Sequence, residues 1–195
     1  PYFPLYGPDV LIAGGEAKYY PCLFENEFVP TIETLESLVD ENTVAILYNF
    51  PSNPTGATLT PNQRDDLLNF AKRHQLWIIT DEVYDRIVYD VEHVSFLGTG
   101  YNRTLMINSF SKTFAMTGWR IGYICSPNIE AMSQIIKMQY YITACSNDAM
   151  QYAVLTAFDE ASTYPEEMAK EFQARRDLIC SRLNSMPGVS CHIPK

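Results

Sequence analysis

Leu76-Trp77-Ile78-Ile79-Thr80-Asp81-Glu82-Val83-Tyr84 is the stretch on which the fold turns. The apolar and β-branched run Leu76–Thr80 stops abruptly at two acids and a phenol, so it predicts a short buried strand that delivers polar groups at its carboxyl end. Runs of the same kind, Val44–Phe50 and Thr104–Asn108, lie on either side. Their starts are spaced by about thirty residues, the length of a βαβ unit. Parallel strands joined by helices follow, and with them an α/β fold.

Working outward, the connection between the first two strands carries a well-marked helix. Thr60 stands as N-cap, Pro61 takes the first helical position, and Leu67, Leu68 and Ala71 recur at helical spacing behind the early acids Asp65 and Asp66. A further strand is predicted at Arg120–Cys125. Two long helical patterns come next, about Asn128–Phe158 and about Tyr164–Met186. The second is rich in charge, closes at Pro187-Gly188, and is expected to lead out of the first domain. The chain shows no internal repeat and no low-complexity linker.

The 195 residues are 47% hydrophobic, enough for a sizeable core and one domain with part of a second. Twenty-three acidic against 14 basic residues give a net charge of −9, which repels nucleic acid and anionic membranes. The five cysteines are scattered, with no C-x-x-C pair and no histidine cluster nearby, so free thiols and no structural metal are expected. No apolar run approaches the roughly 18 residues of a membrane span, and no signal peptide is visible, which points to a cytoplasmic location. The ends are expected to be cut: there is no initiating Met, and Cys191-His192-Ile193-Pro194-Lys195 stops after what reads as the first strand of another unit.

In an open parallel sheet, ligands bind beyond the carboxyl ends of the strands, because the crossovers place those ends on one edge. Here that edge receives Ser52-Asn53-Pro54-Thr55-Gly56 after the first strand, Asp81-Glu82-Val83-Tyr84 after the second, and Ser109-Phe110-Ser111-Lys112 after the third. It thus collects an amide, a carboxylate, a phenol, two hydroxyls and an amine, the set a phosphorylated pyridine aldehyde needs. The hydroxyls, Arg120 and backbone N–H groups would serve its phosphate.

These three motifs in order, the last followed by Thr117-Gly118-Trp119-Arg120-Ile121-Gly122, resemble the fold-type I, class I/II aminotransferases that depend on pyridoxal 5'-phosphate (PLP). The resemblance runs over nearly the whole chain and looks most like the aspartate or aromatic branch. It implies a three-layer α/β/α large domain with a mostly parallel sheet over residues 1–160, incomplete at its N-terminus, and a connecting helix with the start of a small domain over 161–195. It makes Lys112 the lysine that bonds the cofactor and moves the substrate's α-proton. Asp81 would pair with the pyridine nitrogen, and Asn53 and Tyr84 would bond the ring oxygen, Asn53 also holding the substrate carboxylate. Ser109, Ser111 and Arg120 would bind phosphate, and Phe3 in Pro1-Tyr2-Phe3-Pro4 would stack on the ring. The implied activity is transfer of an amino group between an amino acid and a 2-oxo acid, in a homodimer, with Thr143–Asp148 a contact to the partner subunit.

Each residue also has a plain structural alternative. Lys112 alone reads as a solvated surface lysine, Asp81-Glu82 as acids opening a helix, and Asn53-Pro54-Thr55-Gly56 as a turn. Arg120 can pair with an acid, and Phe3 can simply pack. Tyr19-Tyr20 and Tyr140-Tyr141 are expected to be core and interface filler, and the cysteines small buried hydrophobes. Among rival functions, a P-loop NTPase would need G-x-x-x-x-G-K-[ST], which is absent. A PLP-dependent lyase of the same fold and a non-catalytic PLP-binding regulatory domain both stay open.

Overall fold

The structure, a computed structural model, describes all 195 residues. In chain order the elements are α1 (Tyr6–Ile12), α2 (Ile32–Leu38), β1 (Ala45–Asn49), α3 (Pro61–Arg73), β2 (Trp77–Asp81) and β3 (Thr104–Ser109). They continue with α4 (Phe110–Thr113), β4 (Gly122–Cys125), α5 (Ile129–Thr143), α6 (Asp148–Glu160) and α7 (Tyr164–Asn184). The first three strands form where the apolar runs lie, displaced by a single residue at most.

The sheet order is β1-β2-β3-β4, with the first three strands parallel. Asn49 lies beside Asp81 and Asp81 beside Ile107, so the polar strand ends share one edge. The last strand runs antiparallel, with Ser109 opposite Gly122. A parallel return needs a crossover long enough to bring the chain back along the sheet. The four-residue α4 cannot supply it, and Arg120, at a left-handed φ of 54°, turns the chain straight back.

Alternate residues of β1, β2 and β3 are buried. Ile46, Tyr48 and Ile78 from that side join Leu67, Leu68, Phe70 and Ala71 of α3 in a core of 14 buried residues, where Tyr48 stacks on Phe96 with ring centres 5.0 Å apart. Burying each such Leu or Phe contributes about 1.5–3 kcal/mol. The α3 start is as expected and more: Thr60 accepts from the Gln63 N–H while the Gln63 side chain accepts from the Thr60 N–H. A second, smaller core joins Phe110, Met116, Ile121 and Val154. The result is an α/β fold with a mostly parallel sheet and flanking helices.

Three expectations are corrected. The single helical pattern Asn128–Phe158 is two helices, because Ala144 adopts φ 62° and Asn147 caps the second by accepting from the Met150 N–H. Tyr20 packs on the main core and donates to the Leu47 carbonyl at 2.7 Å, but its neighbour Tyr19 and the pair Tyr140 and Tyr141 are not core residues: they are 55%, 66% and 72% exposed, and no element of the chain covers that side of α5. Of the five free cysteines only Cys180 is buried, and Cys145, in the turn between α5 and α6, is exposed. No helix is long and apolar enough to cross a membrane.

Candidate active site

Asp81 closes β2 and is held from three directions. Its Oδ2 accepts a 2.6 Å bond from the Tyr6 hydroxyl, its Oδ1 accepts from the Val83 N–H at 3.2 Å, and its carbonyl accepts from the Asn49 amide at 3.0 Å. Burial first, and the bond to Asp81 second, push the Tyr6 phenol far above its ordinary value, so it stays a donor. Asn49 also accepts from the Asn53 N–H at 2.8 Å, tying the 51–56 turn to the strand end. That turn closes through Gly56 N–H to the Ser52 carbonyl at 2.8 Å, with Gly56 at φ 68° where glycine carries no Cβ penalty.

Lys112 sits on α4, half-buried. Ser109 caps this helix, its Oγ accepting from the Ser111 N–H at 3.1 Å and donating to the Ile121 carbonyl at 3.2 Å. Thr117 fixes the far side by donating to the Ser111 carbonyl at 3.0 Å. The Lys112 amine has no carboxylate partner and lies 5.7 Å from the centre of the Tyr84 ring, within cation–π range. Burial, and then the charge of Asp81, raise the Tyr84 phenol above its ordinary value. Lys112, Tyr84, Asn53 and Ser111 line one cleft of about 560 Å³, with Met168 and Phe172 of α7 on its wall.

A half-buried amine facing a phenol, a fixed carboxylate at the neighbouring strand end and an amide on the adjoining turn form one site, and the family comparison agrees with it: the family described as "Aminotransferase class I and II" matches residues 1–195. The chain belongs to this family. Among the similar curated proteins, an aspartate aminotransferase of Pyrococcus abyssi and aromatic-amino-acid aminotransferase 2 of Thermococcus litoralis are each 40% identical over all of this chain and 51% of their own length. The crystal structure of an aromatic aminotransferase from Pyrococcus horikoshii superposes with a TM-score of 0.94 at 38% identity, over 100% of this chain and 53% of that one. The chain thus spans about half the length of the curated relatives it matches.

Within this candidate site, the expected residues divide. Asn53, Tyr84, Ser111 and Lys112 share the cleft, and Asp81 is close enough for its charge to act on Tyr84. Phe3 meets Tyr6 edge-on, ring centres 5.6 Å apart, and so joins the group through Tyr6. Ser109 and Arg120 stand outside the cleft wall. The Ser109 hydroxyl is engaged in the helix cap, while Arg120 is exposed and donates to the Thr117 carbonyl at 3.0 Å, without the acidic partner of its alternative reading.

Tyr6 and Glu82 escaped the sequence. Tyr6 lies at the start of a seven-residue helix with no periodic apolar face, and only the fold brings it to Asp81, 75 positions away. Glu82 looked like the second of two acids at a strand end. It is 2% exposed, accepting from Thr80 Oγ1 at 3.1 Å and Phe96 N–H at 3.2 Å and pairing with His93 Nε2 at 2.7 Å. Its work is to fasten the 93–96 segment under the strand end that carries Asp81.

Proposed function

We propose that this chain is the cofactor-binding part of a PLP-dependent aminotransferase that moves an amino group between an amino acid, of aspartate or aromatic type, and a 2-oxo acid. The observation that carries this reading is the Lys112 amine, free of any carboxylate and facing Tyr84 across a cleft that also holds Asn53 and Ser111. A cleft of about 560 Å³ is within the ordinary range for a small cofactor.

The residues fit the group. PLP, when bound, supplies an aldehyde that takes up the amino group and a protonated ring that draws electrons from the substrate's α-carbon. Asp81, steadied by Tyr6, would hold the proton on the ring nitrogen. Asn53 and Tyr84 would bond the ring oxygen, and Asn53 the substrate carboxylate. Lys112 would bond the cofactor and then, once released, carry the α-proton as a general base. Ser111, Ser109 and Arg120 would hold the phosphate, Ser109 giving up its bond to Ile121, and Phe3 would pack on the ring. In this reading residues 1–160 belong to the PLP-binding large domain and 161–195 to the connecting helix and the start of a small domain. The working form is a homodimer in the cytoplasm, with Thr143–Asp148 meeting the partner.

Incubation with PLP, borohydride reduction and tryptic mass mapping test this. A label on Lys112 blocks cleavage there and yields the joined peptide Thr104–Arg120 carrying the mass of the reduced cofactor, an addition absent from the corresponding peptide of Lys112→Ala. Label spread evenly over Lys18, Lys72 and Lys137 would overturn the assignment.

A further inference from the structure

The wall of the cleft continues into the C-terminal segment. Pro194 and Lys195 line the cleft beside Asn53 and Lys112, and Arg176 of α7 donates to the Pro194 carbonyl at 2.8 Å. Pro194 also sits where a Cβ on Gly56 would be, 2.5 Å from its own Cβ. This segment joins α7 at a pair of thiols. The Cys180 Sγ lies 3.8 Å from the carbonyl of His192, the residue after Cys191, and the Cys191 Sγ lies 3.9 Å from the Cys180 carbonyl, so the two side chains face each other across the junction. Cys180 is buried at 7% exposure and Cys191 is half-buried.

We propose that Cys180 and Cys191 are a redox-sensitive pair, closed into an intrachain disulfide by hydrogen peroxide and reopened by small thiols, and that closure pins residues 191–195 to α7 at the edge of the cleft. The step balances. The Cys191 thiolate attacks the peroxide, an S–O bond forms as O–O breaks, and with a proton the first water leaves. The Cys180 thiol then attacks that sulfur, S–S forms as S–O breaks, and the second water leaves. Two thiols lose two protons and two electrons, and the peroxide accepts both. Burial, reinforced by hydrogen bonding to Cys191, raises the Cys180 thiol above its ordinary value, which makes the more accessible Cys191 the first to react. Cys22, Cys125 and Cys145 have no cysteine neighbour of this kind.

The folded chain is treated with hydrogen peroxide, alkylated and digested with trypsin without reduction. The expected product is Asp177–Arg182 linked to Leu183–Lys195, lighter by two hydrogens than the separate peptides, lost on addition of a thiol and in Cys191→Ser, with Cys145 still alkylated. Amide exchange at His192 and Ile193 slows several-fold in the linked form. Equal alkylation of all five cysteines overturns the proposal, as does a link that forms only after the chain is unfolded in urea. Cys191 driven to sulfinic acid with Cys180 still free overturns it too, and unchanged exchange at His192 and Ile193 in the linked chain overturns the pinning.

Discussion

Replacing Tyr6 by Phe removes one oxygen and leaves the ring, so its edge contact with Phe3 survives and only the 2.6 Å bond to Asp81 is lost. A hydrogen bond to a charged, partly buried carboxylate is worth about 1.5–3 kcal/mol. Asp81 keeps the Val83 N–H at 3.2 Å, which places the expected loss in unfolding free energy toward the lower half of that range. Urea unfolding of wild type, Tyr6→Phe, Asp81→Asn and the double variant measures the coupling directly. The pH dependence adds a signed check. The folded state raises the Tyr6 phenol above its unfolded value of 10.0, so its contribution is whole below pH 10 and is lost as pH climbs beyond it. The stability gap between wild type and Tyr6→Phe is therefore flat from pH 6 to about 9.5 and narrows above pH 10. A coupling energy below about 0.5 kcal/mol, or a gap that widens with alkali, would refute the reasoning.

His93→Ala leaves the Glu82 carboxylate buried with two neutral donors, and urea unfolding is expected to show a loss of about 3–5 kcal/mol, against a smaller loss for Glu82→Gln, which keeps the volume and can still accept from Phe96. Gly56→Ala meets a left-handed backbone, costing about 1–2 kcal/mol, and a clash with Pro194; the same titration reads the first, and faster amide exchange over residues 191–195 reads the second. Thr60→Ala breaks the reciprocal cap of α3 and is expected to lower stability by about 1 kcal/mol, with Thr60→Ser retaining most of it.

The strands were legible because each is a short apolar run, buried on at least one face, that stops at polar residues: Trp77–Asp81 declares itself and its polar terminus at once. The Thr60 cap was legible because its signal is local. What stayed hidden depends on distance along the chain. The antiparallel turn of the last strand follows from how little chain α4 uses, the break at Ala144 from one residue with nothing unusual in its side chain, and the Tyr6–Asp81 bond from a contact between parts 75 residues apart. Ser109 shows the opposite limit. Its place at the third strand end was readable, but not that its hydroxyl is already committed to capping the helix that carries Lys112.

The two cores divide the site by stiffness. Asn53 and Asp81 hang from strands and turns rooted in the 14-residue core, whereas Lys112 rides on α4, whose anchors Phe110 and Met116 belong to a core of four. Opening the smaller unit exposes few apolar groups and leaves the larger one standing, so the amides around Lys112 exchange with solvent through local excursions long before the sheet comes apart. A molecule that bridged the two halves would draw most of its ordering from one side only, and its arrival would be felt as a quietening of α4.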